Sequence, residues 1–111
     1  MAKKLKALIC DSDPGWANHY IDALESMGYE VIGVAIDAHR AVESALYAKP
    51  DVVVTSLYLP FPSDAYRMMH AISEMTGCRA RFVIVSFDPQ VRVLSKRNWD
   101  PKEFAKMVAG E

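Results

Sequence analysis

An α/β domain, a parallel sheet covered by helices on both faces, is the fold class this sequence predicts. Three observations predict it. Short β-branched runs alternate with helical apolar stripes along the chain. Acid, proline and glycine punctuation falls where helices should start and stop. The β-branched block from Val52 reads as a buried strand, entered after Pro50 and closed by Pro60. With 111 residues, 51% of them hydrophobic, the chain is long enough for one core and too short for a second domain, so residues 1–111 are expected to form a single unit.

The elements follow in order. Lys6 to Cys10 is an apolar strand that ends abruptly at Asp11, Ser12 and Asp13. Asp13 is placed to cap a helix with Pro14 in its first turn, and Trp16, Tyr20, Leu24 and Met27 recur on one face before Gly28 stops it. Glu30 to Ile36 is a second strand, and Asp37 caps a second helix whose buried stripe is read as Val42, Ala45 and Leu46, up to Pro50. The third strand covers the β-branched block through Ser56. A third helix starts near Ser63, sets Ala65, Met68, Met69, Ile72 and Met75 on one side, and stops at Gly77. That methionine stripe is read as core, although methionine also suits adaptable binding surfaces. Phe82 to Ser86 is a fourth strand. Asp100, Pro101 and Glu103 open a last helix with Phe104 and Met107 facing inward.

Strand ends matter because ligands of open parallel sheets bind beyond the carboxyl ends of the strands. Two such ends, at Asp11 and at Ser56, are expected to be neighbours. The run Pro50, Asp51, four apolar or β-branched residues, Ser56 and then Leu59–Pro60 resembles the third strand of the receiver (CheY-like) domain of bacterial response regulators, and the resemblance extends from Leu5 to about Ser86. It implies a flavodoxin-like doubly wound sheet and a role in two-component signal transduction.

The resemblance also marks what has changed. Family members end the first strand in two acids, where this chain has Asp11 and Ser12, followed by Asp13. The phosphate-accepting aspartate is replaced by Ser56. The fourth-strand hydroxyl is kept as Ser86, and Lys96 matches the family's fifth-strand lysine. An aspartate attacks phosphorus as an anion, whereas a serine needs a base, and carboxylates with ordinary values of about 4 are poor bases toward an alcohol. Mg²⁺ is usually held by one or two carboxylates plus waters and phosphate oxygens, so a pocket left with Asp11 and Asp13 as its weak candidate ligands is expected to bind it poorly. The reading is a degenerate phosphorylation pocket, with no catalytic residue and no cofactor.

Between Ser86 and the last helix the pattern departs from the family. Only Phe87 to Gln90 separate the fourth strand from Val91 to Leu94, too few residues for the usual fourth helix or for an ordinary parallel crossover. Val91 to Leu94 is therefore expected as an antiparallel edge strand, an irregular loop or a strand joined to another protomer. In the antiparallel case Lys96 would lie about 15–20 Å from the acids, at roughly 3.3 Å per residue. Val93, three residues before it, replaces an aromatic switch position.

Charge and motifs narrow the function. From Asp11 to Glu74 acids outnumber bases ten to three, and from Arg79 to Lys106 bases outnumber acids seven to three, with a net charge of −1. Near-neutrality without a concentrated basic patch argues against nucleic acid. There is no membrane-length apolar run and no signal peptide, so a cytoplasmic location is expected. His19, His39 and His70 lie on three separate helices without ligand spacing, and Cys10 and Cys78 read as reduced thiols. No glycine-rich phosphate loop or nucleophile elbow occurs. Three readings remain: a phosphorylation-independent module that binds a protein partner, or itself through the remodelled edge or last helix; a receiver with an unusual phosphate acceptor; and a small-ligand binder or enzyme using the same crevice.

Overall fold

The computed structural model describes residues 4–56, 59, 62–75, 78–86, 94–95 and 99–110, with residues 62, 94 and 95 described at the backbone only. Five strands form one sheet: β1 (Lys6–Cys10), β2 (Glu30–Ala35), β3 (Val52–Ser56), β4 (Arg81–Ser86) and β5 (Leu94–Ser95). They lie in the order β2-β1-β3-β4-β5 and every pair is parallel. This is the flavodoxin-like order. All five residues of β3, the central strand, are buried, as the unbroken apolar run requires of a strand covered on both faces.

The four described helices are α1 (Pro14–Ser26), α2 (Ala38–Ala48), α3 (Pro62–Ser73) and α4 (Pro101–Ala109). Three carry the aspartate caps expected of them: Asp13 accepts from the Gly15 N–H, Asp37 from Arg40 and Asp100 from Lys102, at 2.8–2.9 Å. Each bond satisfies one of the N–H groups that a helix start leaves without a partner. Gly28 follows α1 at φ 87°, a left-handed conformation that glycine adopts at little cost.

Alternating strand faces produce two apolar layers. Ala7, Ile9, Val52, Val54, Val83 and Val85 pack toward Ala17, Tyr20 and Leu24 of α1 and Phe104 and Val108 of α4. Leu8, Cys10, Ala35 and Val53 pack toward Ala41 and Ala45 of α2 and Ala65, Met68 and Ile72 of α3. The α3 methionines thus belong to the core: Met68 is buried, and Met69 and Met75 pack against the same layer. Cys78 is buried as well as Cys10. Gly77 lies outside the described residues.

Two expectations are corrected. Leu46, read as part of the α2 stripe, is 60% exposed, and Ala41 takes its place in the core. The second correction is the direction of the last strand. Leu94–Ser95 runs parallel to β4, with Val85 opposite Leu94 and Ser86 opposite Ser95, so no antiparallel edge forms there. The antiparallel reading takes the strand to start after a link of four residues from Ser86, whereas β5 is the two-residue pairing Leu94–Ser95, reached after a link of seven. The expected loss of a fourth helix, like Val91 and Val93, falls outside the described residues.

Candidate functional site

Parallel pairing brings the carboxyl ends of β1, β3 and β4 to one edge of the sheet. Cys10 is opposite Thr55, and Ser56 is opposite Val85, so Asp11, Ser56 and Ser86 stand on three adjacent strand ends. They are 2%, 7% and 2% exposed, buried polar groups in an otherwise apolar layer. Thr55, also buried, donates its hydroxyl to the Ser56 carbonyl at 2.9 Å. Ser12 is exposed. Lys96 lies outside the described residues.

Asp11 is fixed from several sides. Its N–H donates to the Ala35 carbonyl at 3.0 Å, extending the β1–β2 ladder by one residue. Its Oδ1 accepts from the Asp13 N–H at 2.9 Å, and its Oδ2 accepts from the Tyr20 hydroxyl at 3.2 Å. A buried carboxylate is tolerated when donors of this kind replace water. Asp13, by contrast, is exposed and its Oδ1 is the α1 cap. The two acids that sequence grouped together therefore do different structural work.

Tyr20 was read only as part of an apolar stripe. It is fully buried, with its ring against Phe104, Trp99 and Trp16 at centroid separations of 6.1, 5.9 and 6.0 Å. Burial first, and then the Asp11 charge, push its phenol well above the ordinary tyrosine value, so the proton stays on the oxygen that donates. The available signal was physical: a tyrosine in a buried stripe needs a partner for its hydroxyl, and Asp11 is the acid at the adjoining strand end.

Cys10, one residue before Asp11, has its thiol pushed up to about 12 by burial, with the Asp11 and Asp37 charges adding to the effect. Its Sγ donates to the Asp37 carbonyl at 3.6 Å. It is a neutral thiol, not a nucleophile. The histidines stand on α1, α2 and α3 as expected: His19 meets Trp16 edge-on and Trp99 at a tilt, and His39 Nε2 lies 2.8 Å from Glu43 Oε1. Among the described residues no group of three or more His, Cys, Asp or Glu is arranged to hold a metal. A cavity of about 520 Å³, lined by Lys4, Leu5, Lys6, Tyr47, Ala48, Lys49 and Asp51, lies at the opposite, amino-terminal edge of the strands. It shares no residue with the polar edge.

No protein-family model and no curated protein sequence matches the chain. Solved structures do resemble it. The signal receiver domain of a modulated diguanylate cyclase from Desulfovibrio desulfuricans superposes with a TM-score of 0.80 at 19% identity, covering 96% of this chain and 92% of that one. The anti-anti-sigma factor PhyR from Bartonella quintana gives 0.78 at 18% identity, covering 96% of this chain but 48% of PhyR, so the chain spans about half that protein's length. CheY in a CheX–CheY complex with BeF₃ and Mg²⁺ from Borrelia burgdorferi gives 0.75 at 19% identity, covering 94% and 86%. At such identities the likeness is one of fold.

Proposed function

We propose that this chain is a receiver-like signalling module that acts through protein contacts and is not phosphorylated at the strand-end pocket. The observation that carries the reading is the donor set at that edge among the described residues: hydroxyls at Ser12 and Ser56, and one buried carboxylate, Asp11, already accepting from Asp13 and Tyr20. Mg²⁺ needs accessible oxygens, one or two of them carboxylate, while it keeps several of its waters. Asp11 offers almost no exposed surface and Asp13 is engaged as a helix cap, so these residues do not fit the ion. Ser56 lacks an evident base, since the histidines sit on helices and none stands at the end of β1, β3 or β4.

A protein partner is supported by the fold likeness to receiver domains, among them a CheY solved in complex with CheX. The partner is a signalling protein, or a second copy meeting the β5 and α4 side. Among the described residues no helix is long and apolar enough to cross a membrane, and the reading places the module in the cytoplasm as one domain without an enzymatic step.

Titration of the labelled protein with beryllofluoride and Mg²⁺, followed by NMR, tests the reading. The expected result is no saturable shift at Asp11, Ser56 or Ser86, and no gain of a phosphoryl group in the intact mass after exposure to acetyl phosphate. Saturable shifts centred on those residues, or stoichiometric phosphorylation, would overturn it and favour the unusual acceptor.

A further inference from the structure

We infer that Tyr20 is the positioning residue that keeps Asp11 from serving a divalent cation, a lock on the pocket separate from the loss of carboxylates at positions 12 and 56. The inference deepens the reading above and rests on it for the identity of the site.

An ionised carboxylate has about four acceptor positions, so the bonds from Asp13 and Tyr20 do not by themselves exhaust Asp11. Direction and access decide the matter. Tyr20 is fully buried in the layer formed with Phe104 and Val108, and its hydroxyl draws Oδ2 toward that layer at 3.2 Å. The Asp13 N–H holds Oδ1 at 2.9 Å. The carboxylate is thus clamped by the start of α1 on one oxygen and by the helix interior on the other, and is only 2% exposed at the sheet edge. A hydrated Mg²⁺ requires an oxygen presented to water, with octahedral room around it. Turning Asp11 outward would leave the Tyr20 hydroxyl buried without its acceptor, a state that folded proteins avoid. Tyr20 itself is held on three sides by Trp16, Trp99 and Phe104 and has little freedom to follow.

Restoring the missing acids alone should therefore leave Asp11 outside the site, with the ion held only by the two new carboxylates. The test compares Ser12→Asp/Ser56→Asp with the same variant carrying Tyr20→Phe, each titrated with MgCl₂ and read by the fluorescence of Trp16 and Trp99, which flank position 20, and by backbone NMR at Asp11. The expected result is weak binding by the double variant and at least tenfold tighter binding once the hydroxyl is removed. Adding Asp11→Asn to that triple variant should abolish the gain, because Tyr20 acts only through Asp11. Equal affinities with and without Tyr20→Phe, a gain that survives Asp11→Asn, or no saturable binding by either variant would overturn the inference.

A measurement on the unsubstituted protein guards against variants that fail to fold. The Tyr20 hydroxyl proton should give a resonance protected from solvent exchange at neutral pH, and its absence would count against the lock. The two proposals fail separately. Phosphorylation of the unsubstituted chain would remove the functional reading while leaving the Tyr20 dependence of Mg²⁺ affinity standing, and equal affinities would remove the lock alone.

Discussion

Cys10 and Tyr20 flank the Asp11 carboxylate and share one electrostatic circumstance, which gives stability a defined dependence on pH. Both are acids that the fold keeps protonated: the Cys10 thiol is raised from 9.0 to about 12, and the Tyr20 phenol is raised from its ordinary value by burial and by Asp11. When the folded value of an acid exceeds the unfolded one, its contribution is complete below the unfolded value and is lost as pH climbs toward the folded value. For Cys10 that window runs from 9.0 to about 12. Each pH unit inside it costs about 1.4 kcal/mol for one group. Urea denaturation at pH 7.5 and pH 10.5 should show that the unsubstituted chain loses about 2 kcal/mol more between the two conditions than Cys10→Ala does. Equal losses would mean that the thiol is not shielded as its burial implies.

At the scale of elements, α2 ends on a strained residue. Lys49 caps it at φ 49° and ψ 70°, the left-handed region, with its N–H on the Ala45 carbonyl at 2.9 Å. A residue with a Cβ pays about 1 kcal/mol there, which glycine avoids. Lys49→Gly should raise the melting temperature by about 3 °C without altering any property of the strand-end pocket, which calorimetry would check. A lower melting temperature would mean that the Lys49 side chain contributes more than its backbone costs.

This strain was not legible in the sequence, whereas the caps were. Asp13, Asp37 and Asp100 announce helix starts because a short acceptor beside an apolar period has a local role. Leu46 was misread for a related reason. Hydrophobicity favours a leucine over an alanine, but the sheet-facing side of α2 is built from Ala41 and Ala45, and Leu46 is turned about 100° from Ala45. The direction of β5 turns on where the pairing begins, at Leu94, and the apolar pattern of the sequence does not mark that residue as the start. The strand ends at Asp11, Ser56 and Ser86 were readable from apolar runs that stop at polar residues. The Tyr20–Asp11 bond was legible only in part: a buried tyrosine hydroxyl needs a partner, but helical periodicity places the side chain on a face without saying which atom its polar tip will meet.

At the scale of the whole molecule, one sheet separates two apolar layers, and the polar edge is built from strands that serve both. β1 sends Ala7 and Ile9 to the α1/α4 layer and Leu8 and Cys10 to the α2/α3 layer before delivering Asp11 to the edge. Neither layer has a sheet of its own, so loss of packing on one side should unfold the other. The protein supplies the means to test this, because Trp16 and Trp99 both lie against the α1/α4 layer, while Met68 lies in the other. Met68→Ala should cost about 2–5 kcal/mol. The tryptophan fluorescence transition in urea should move to a lower midpoint together with the far-UV circular dichroism transition, as one cooperative step. Phe104→Ala, on the tryptophan side, should cost about 3–5 kcal/mol and behave the same way. If Met68→Ala instead shifted the circular dichroism while the tryptophans reported an unchanged midpoint, the two faces would be separate cooperative units. The strand-end pocket would then be positioned by the α1/α4 layer alone, through Tyr20, rather than by the whole sheet.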